Sequence, residues 1–112
     1  MSNRQRFENK VVIVTGAAQG IGRGVAIQVA SEGAQVIMAD LSPYVEEVLA
    51  EIEATGGDAI TVKANLETFA GAQSVVEKAL ETYGRVDALI NNVGGAIWMK
   101  PFEEFSEEEI IK

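Results

Sequence analysis

Cysteine and histidine are both absent from the 112 residues. Without cysteine there is no disulfide framework, no thiolate nucleophile and no Cys-based metal site. With histidine missing as well, zinc chemistry and Ser-His-Asp or Cys-His catalysis have no members to draw on, and no metal ligand set is expected. Long apolar runs are also missing. The longest aliphatic run is Val11-Val12-Ile13-Val14, against the roughly 20 residues a membrane-spanning helix needs, so no membrane partner is expected. Arg4 and Arg6 precede no long apolar region, so no secretory signal is visible. Positive charge is scarce: 9 Lys and Arg stand against 17 Asp and Glu, for a net charge of −8. Such a surface repels phosphate backbones, which argues against nucleic acid as a partner. The simplest reading of the charge is solubility, and a cytoplasmic protein is expected.

What is present is an ordinary globular composition, 47% hydrophobic and 23% charged, on a length suited to one domain at most. Residues 1–9 read as a polar lead-in, with Phe7 its only large apolar side chain. From residue 10 to 112 short aliphatic runs alternate with longer periodic segments. The runs Val11–Val14, Val36–Ala39, Ala59–Val62 and Ala88–Ile90 are apolar on both faces, the signature of strands buried on both sides of a parallel sheet. Between them, helical spacing places Ile21, Val25, Ala26 and Val29 on one stripe. It does the same for Val45, Val48, Leu49 and Ile52, and for Ala72, Val75, Val76, Ala79, Leu80 and Tyr83. Ser42-Pro43 predicts a helix start, and Gly33, Gly56-Gly57 and Gly84 stand just past helix ends. Ser106 with Glu109 forms a capping box that opens a further helix, with Glu107 to Glu109 in a first turn whose dipole favours carboxylates. The fold class is therefore α/β: an incomplete Rossmann-type doubly wound parallel sheet, βαβαβαβ plus the start of a further helix. The fourth strand is expected to stand at the sheet edge.

The strongest local signal is Thr15-Gly16-Ala17-Ala18-Gln19-Gly20-Ile21-Gly22, between the first strand and the first helix. A tight turn must leave the strand there. The backbone must also approach a pyrophosphate without Cβ atoms intervening, at a helix N-terminus that offers free N–H groups. The spacing is Gly-x-x-x-Gly-x-Gly, and no Gly-Lys-Ser/Thr follows, so it is not a P-loop. Asp40 ends the second strand, eighteen residues past Gly22. A carboxylate there accepts hydrogen bonds from both adenosine-ribose hydroxyls and repels a 2′-phosphate, selecting NAD over NADP. Gln19 and Leu41 offer no cation for such a phosphate. The alternative is that Asp40 merely begins the turn before Ser42-Pro43.

At these residues the chain resembles the short-chain dehydrogenase/reductase family. The family's T-G-x-x-x-G-x-G motif matches Thr15 to Gly22 without gaps. Its N-N-A-G motif appears as Asn91-Asn92-Val93-Gly94, with valine in place of alanine. The resemblance runs from about Phe7 to Lys112. It implies a cofactor site of Thr15, Gly16, Gln19, Gly20, Ile21, Gly22, Asp40, Asn65, Leu66, Asn91, Asn92 and Gly94. Asn65-Leu66 stand where the family usually has Asp and an aliphatic residue beside adenine. The resemblance implies that Asn91 and Asn92 brace the fourth strand and approach the cofactor ribose, the alternative being a capped strand end, and that Gly94 lets the chain pass near the nicotinamide.

The stretch Asn91 to Phe102, with the Thr15–Gly24 loop, is most similar to family members that oxidise a cis-dihydroxycyclohexadiene carboxylate with NAD, yielding catechol and carbon dioxide. Trp98, Met99 and Lys100 border the substrate on one reading; on the other, Trp98 and Met99 pack beneath a lid. The resemblance further implies a catalytic serine, a Tyr-x-x-x-Lys pair and a relay asparagine. Tyr44 is followed four residues on by Val48 and Tyr83 by Asp87, so neither makes that pair. No catalytic residue is assigned: all four are expected beyond Lys112, and the chain alone is expected to be inactive. The full-length form is expected to be a homo-oligomer acting on a small molecule. Another NAD-linked dehydrogenase or ketoreductase, and a non-catalytic nucleotide-binding module, remain alternatives. A phosphoacceptor receiver domain is discarded, because Thr15-Gly16 stands where an acidic cluster is needed.

Overall fold

The computed structural model describes residues 7–66 and 68–92 and, for the strand at 98–101, the backbone. Four parallel strands form as the aliphatic runs require: β1 (Val11–Thr15), β2 (Gln35–Ala39), β3 (Asp58–Val62) and β4 (Ala88–Asn91). Helices α1 (Gly20–Ser31), α2 (Val45–Ala54) and α3 (Phe69–Tyr83) connect them. The sheet order is β3-β2-β1-β4-β5, where β5 (Trp98–Pro101) is a further strand. The pleat divides the core in two. Val12, Val14, Val36, Met38 and Ile90 pack with Ala26, Val29, Val48 and Ile52 of α1 and α2. Val11, Ile13, Ile37, Ala39 and Leu89 pack with Val75 and Ala79 of α3. Burial of both faces is why these strands are unbroken in apolar residues rather than alternating. After β1 the chain adds strands on one side, then crosses to place β4 on the other. That reversal opens a crevice at the carboxyl ends of β1 and β4.

Three expectations need correction. The fourth strand is not the edge: β5 pairs with it antiparallel, Leu89 opposite Lys100 and Ile90 opposite Met99. An open row of N–H and C=O groups along β4 is costly, and a short hairpin satisfies it. Pro101 sits at the end of the outermost strand, where a missing N–H is tolerated. Residues 98–100, read as bordering substrate, with Trp98 and Met99 alternatively under a lid, thus stand on this strand; their side chains fall outside the described residues. Ile21 does not join the buried stripe of α1 but is 64% exposed, because the helix's first turn projects past the end of the sheet. Leu80 likewise turns outward from α3. Finally, α2 begins at Val45 rather than Pro43. Ser42 still acts as a cap, its Oγ accepting from the Tyr44 N–H at 3.2 Å, but it closes a tighter turn that precedes the helix.

Gly33, Gly56 and Gly84 adopt positive φ past the ends of α1, α2 and α3, the conformation expected of them. Phe7 packs against the α1/α2 side of the core, and its N–H donates to the Glu32 carbonyl at 2.9 Å. No helix among the described residues is long and apolar enough to cross a membrane. The helix predicted from Ser106 lies outside the described residues.

Candidate functional site

At the carboxyl end of the sheet, Gly16, Asp40, Leu41, Ala64, Asn65, Leu66 and Asn92 line an open groove of about 280 Å³. Sites for whole small-molecule ligands run from roughly 300 Å³ upward, so the groove suits one half of a dinucleotide. Five of the residues singled out from the sequence therefore meet around one space: Gly16, Asp40, Asn65, Leu66 and Asn92. Leu41 and Ala64 join them. Their signal was position, since each stands two residues past a strand end, where a doubly wound sheet binds ligands.

The turn out of β1 is built around glycine for different reasons at each position. Gly16 has φ +61°, and a Cβ there meets the Asn92 carbonyl at 3.1 Å and its Nδ2 at 3.2 Å. Gly20 has φ +64° with nothing within 4 Å, which leaves the helix entrance open. Gly22 is buried against the turn itself: a Cβ there lies 2.0 Å from the Gly16 carbonyl oxygen. Close backbone packing, rather than room for a ligand, requires that glycine. Gln19 is the extended N-cap residue of α1 and its side chain makes no capping hydrogen bond; the first turn carries no acidic residue. The positive end of the helix dipole is therefore not neutralised by a carboxylate of that turn. Ile21 stands exposed beside it.

Thr15 and Asn91 lie beneath the groove, each 5% exposed, and brace it. The Thr15 hydroxyl donates to Asn91 Oδ1 at 3.0 Å and accepts from the Asn92 N–H at 2.8 Å. Asn92 Nδ2 donates to the Gly16 carbonyl at 3.4 Å. This network ties the end of β1 to the end of β4, the two lips of the crevice. Asp40 reaches in two directions: Oδ2 accepts from the Ala18 N–H and Oδ1 from the Ser42 N–H, both at 3.0 Å. It does begin the turn to Ser42, and it also holds the glycine loop. On the far wall, Thr68 Oγ1 caps α3 by accepting from the Gly71 N–H and donates to the Asn65 carbonyl, both at 3.0 Å. Gly71 is pressed so close that a Cβ lies 1.9 Å from the Asn65 carbonyl oxygen. Sequence reasoning missed Thr68 and Gly71; a Thr three residues before a Gly carries no site signature by itself. Gly94 lies outside the described residues.

Neither tyrosine is placed for proton transfer at the groove. Tyr83 donates to Asp58 Oδ1 at 2.9 Å, and Asp58 begins β3 at the opposite end of the sheet. Burial pushes the Tyr83 phenol far above its usual value, and the bond to Asp58 adds to that rise. Tyr44 is exposed at the turn before α2.

A sequence model for short chain dehydrogenases matches residues 10–112. The chain belongs to the short-chain dehydrogenase family. It is 66% identical over 112 residues to a 1,6-dihydroxycyclohexa-2,4-diene-1-carboxylate dehydrogenase of Acinetobacter baylyi, a match covering 100% of this chain and 43% of that protein. To the enzyme of the same name from Pseudomonas putida it is 49% identical over 106 residues, covering 95% and 39%. Among solved structures, a 7α-hydroxysteroid dehydrogenase complexed with NADH and 7-oxo glycochenodeoxycholic acid superposes with a TM-score of 0.76 at 32% identity. That match covers 81% of this chain and 36% of the other. This short-chain dehydrogenase chain therefore spans about two fifths of the length of the curated relatives it matches.

Proposed function

We propose that the protein is an NAD-dependent dehydrogenase that oxidises a cis-dihydroxycyclohexadiene carboxylate to catechol and carbon dioxide, and that this chain supplies the cofactor-binding part. The observation that carries the substrate class is the 66% identity, end to end, with the Acinetobacter enzyme. The chemistry is self-consistent. Oxidising the hydroxyl beside the carboxylate-bearing carbon gives a β-keto acid, which loses carbon dioxide readily, and aromatisation drives the loss. What NAD supplies when bound is an acceptor for the hydride from the carbinol carbon.

The described residues fit that cofactor. Gly20 leaves backbone room at the uncapped start of α1, where N–H groups and the helix dipole suit a pyrophosphate. Asp40 lines the groove with each carboxylate oxygen retaining a lone pair for a ribose hydroxyl, and its charge opposes a 2′-phosphate. Leu41, Leu66 and Asn65 offer an apolar wall and one amide for a purine. Thr15 and Asn91 act beneath the groove by bracing Asn92 rather than by touching the ligand. Gln19, Ile21 and Gly94 complete the proposed cofactor set. The net charge of −8 supports a small-molecule substrate over nucleic acid. A cytoplasmic homo-oligomer completes the reading.

Turnover tests it: the full protein, given 1,6-dihydroxycyclohexa-2,4-diene-1-carboxylate and NAD, is expected to form NADH and catechol in equal amounts. NADH formed with simple alcohols but not with this diol overturns the substrate. NADP serving better than NAD overturns the cofactor.

A further inference from the structure

We infer that Asp40 is a positioning residue for the phosphate-binding loop as well as a reader of ribose, so that cofactor choice and loop shape depend on one carboxylate. The inference rests on the cofactor reading above. Its basis is the partition of the two oxygens. Oδ2 takes the N–H of Ala18, in the turn between β1 and α1, and Oδ1 takes the N–H of Ser42, on the way to α2. Two N–H groups, at Ala18 and Ser42, are thus clamped on one side chain, the first of them 22 residues before Asp40. Ala18 is buried, only two residues before Gly20, where the chain turns into the uncapped helix. A buried amide without an acceptor is costly, and an ionised acceptor makes the stronger bond. Among the described residues, the turn's other hydrogen bonds to neighbouring strands lie near its start, from the Gly16 N–H to the Ala39 carbonyl at 2.9 Å and from Asn92 Nδ2 to the Gly16 carbonyl. Ala18 is held by Asp40.

The residue type follows from this geometry without any ligand. Two N–H donors approach from two sides, so both terminal atoms must be acceptors. Asparagine offers one acceptor and one donor; serine or alanine offers less. A neutral residue at this position removes the repulsion of a 2′-phosphate and also releases the loop that binds the pyrophosphate. Exchange of Asp40 alone is therefore expected to lower affinity for both nicotinamide cofactors rather than to convert one preference into the other.

The test separates loop from ribose with nicotinamide mononucleotide, which carries a phosphate and lacks the adenosine ribose. Full protein, wild type and Asp40→Ala, is titrated with NAD, NADP and the mononucleotide, and amide hydrogen exchange is followed at Ala18 and Ser42. Loop positioning predicts that Asp40→Ala weakens the mononucleotide by roughly tenfold or more, the fold-change of one lost charge-assisted bond. It also predicts loss of exchange protection at Ala18 and no gain of NADP binding. Unchanged mononucleotide affinity, or Ala18 protection equal to wild type, overturns it. Should Asp40→Ala fail to fold, the wild type alone decides: Ala18 exchange at the open-chain rate contradicts the clamp, and strong protection upholds it. If the wild type binds neither NAD nor the mononucleotide, the cofactor reading falls, while Ala18 exchange still decides the clamp.

Discussion

Replacing Gly22 and Gly24 by alanine, one at a time, should give effects of opposite sign two residues apart on the same helix. Both glycines lie in α1, and neither needs a positive φ. At Gly22 a Cβ falls 2.0 Å from the Gly16 carbonyl oxygen and 2.8 Å from Asn92 Nδ2. Real Cβ contacts stay beyond 3.0 Å, so the helix start and the turn must part by at least 1.0 Å. Neither side yields cheaply, because the Gly16 N–H is bonded to the Ala39 carbonyl at 2.9 Å and Asn92 is held by Thr15. Overpacking of this kind costs about 1–3 kcal/mol. Alanine's helical advantage over glycine, at most about 1 kcal/mol, does not offset that in a first turn. At Gly24 nothing lies within 4 Å, so the helical gain of roughly 0.5–1 kcal/mol is kept. Urea unfolding of the two variants at constant m reads the difference directly. NAD affinity should fall for Gly22→Ala, whose helix start is displaced, and hold for Gly24→Ala. Equal stability of the two variants, with equal NAD affinity, would refute the close approach of α1 to the turn.

Thr15→Val should destabilise by about 1–3 kcal/mol in urea titration, since it removes the hydroxyl that accepts from the part-buried Asn92 N–H and donates to the buried Asn91 side chain; Thr15→Ser should recover most of the loss. Gly71→Ala should weaken NAD and leave nicotinamide mononucleotide unaffected, because its Cβ displaces the Asn65 carbonyl on the wall proposed for adenosine. Asp87 should contribute to acid sensitivity. Burial pushes its carboxyl up, but the Arg85 guanidinium, the Val11 N–H and Lys10 together outweigh burial and hold it below the usual range. A depressed folded value gives stability that is present above the unfolded value of about 3.9 and lost as pH falls through the folded one. Asp87→Asn should therefore show a shallower decline in urea stability below about pH 4 than the wild type.

The parallel core was legible because burial on both faces leaves strands uniformly apolar, and Val11–Val14 shows that without help from its neighbours. That the glycine loop and Asp40 meet at one groove was legible, since their spacing follows from the turn out of one strand and the end of the next. Their internal economy was not. Nothing in Gly-x-Gly spacing says that Gly20 faces open space while Gly22 faces a carbonyl. Nothing in Asp40 says that its oxygens already hold Ala18 and Ser42. Those facts depend on how the folded chain brings the turn, the helix start and the end of β2 together, Ala18 and Asp40 being 22 residues apart. The hairpin onto β4 was also hidden, because the antiparallel pairing of 98–101 is decided by the need to cover an edge and not by a local pattern. Ile21 misled in the opposite way: helical periodicity assigns a face but not where the sheet beneath that face ends.

The groove at the carboxyl end of β1, β2 and β4 is proposed to take NAD and reject NADP. Calorimetric titration of the full protein with each cofactor in turn tests it most directly. Saturable binding of NAD at one site per chain is expected, with NADP weaker by about tenfold or more, as a 2′-phosphate against the Asp40 carboxylate requires. Equal binding of the two, or a preference for NADP, would contradict it.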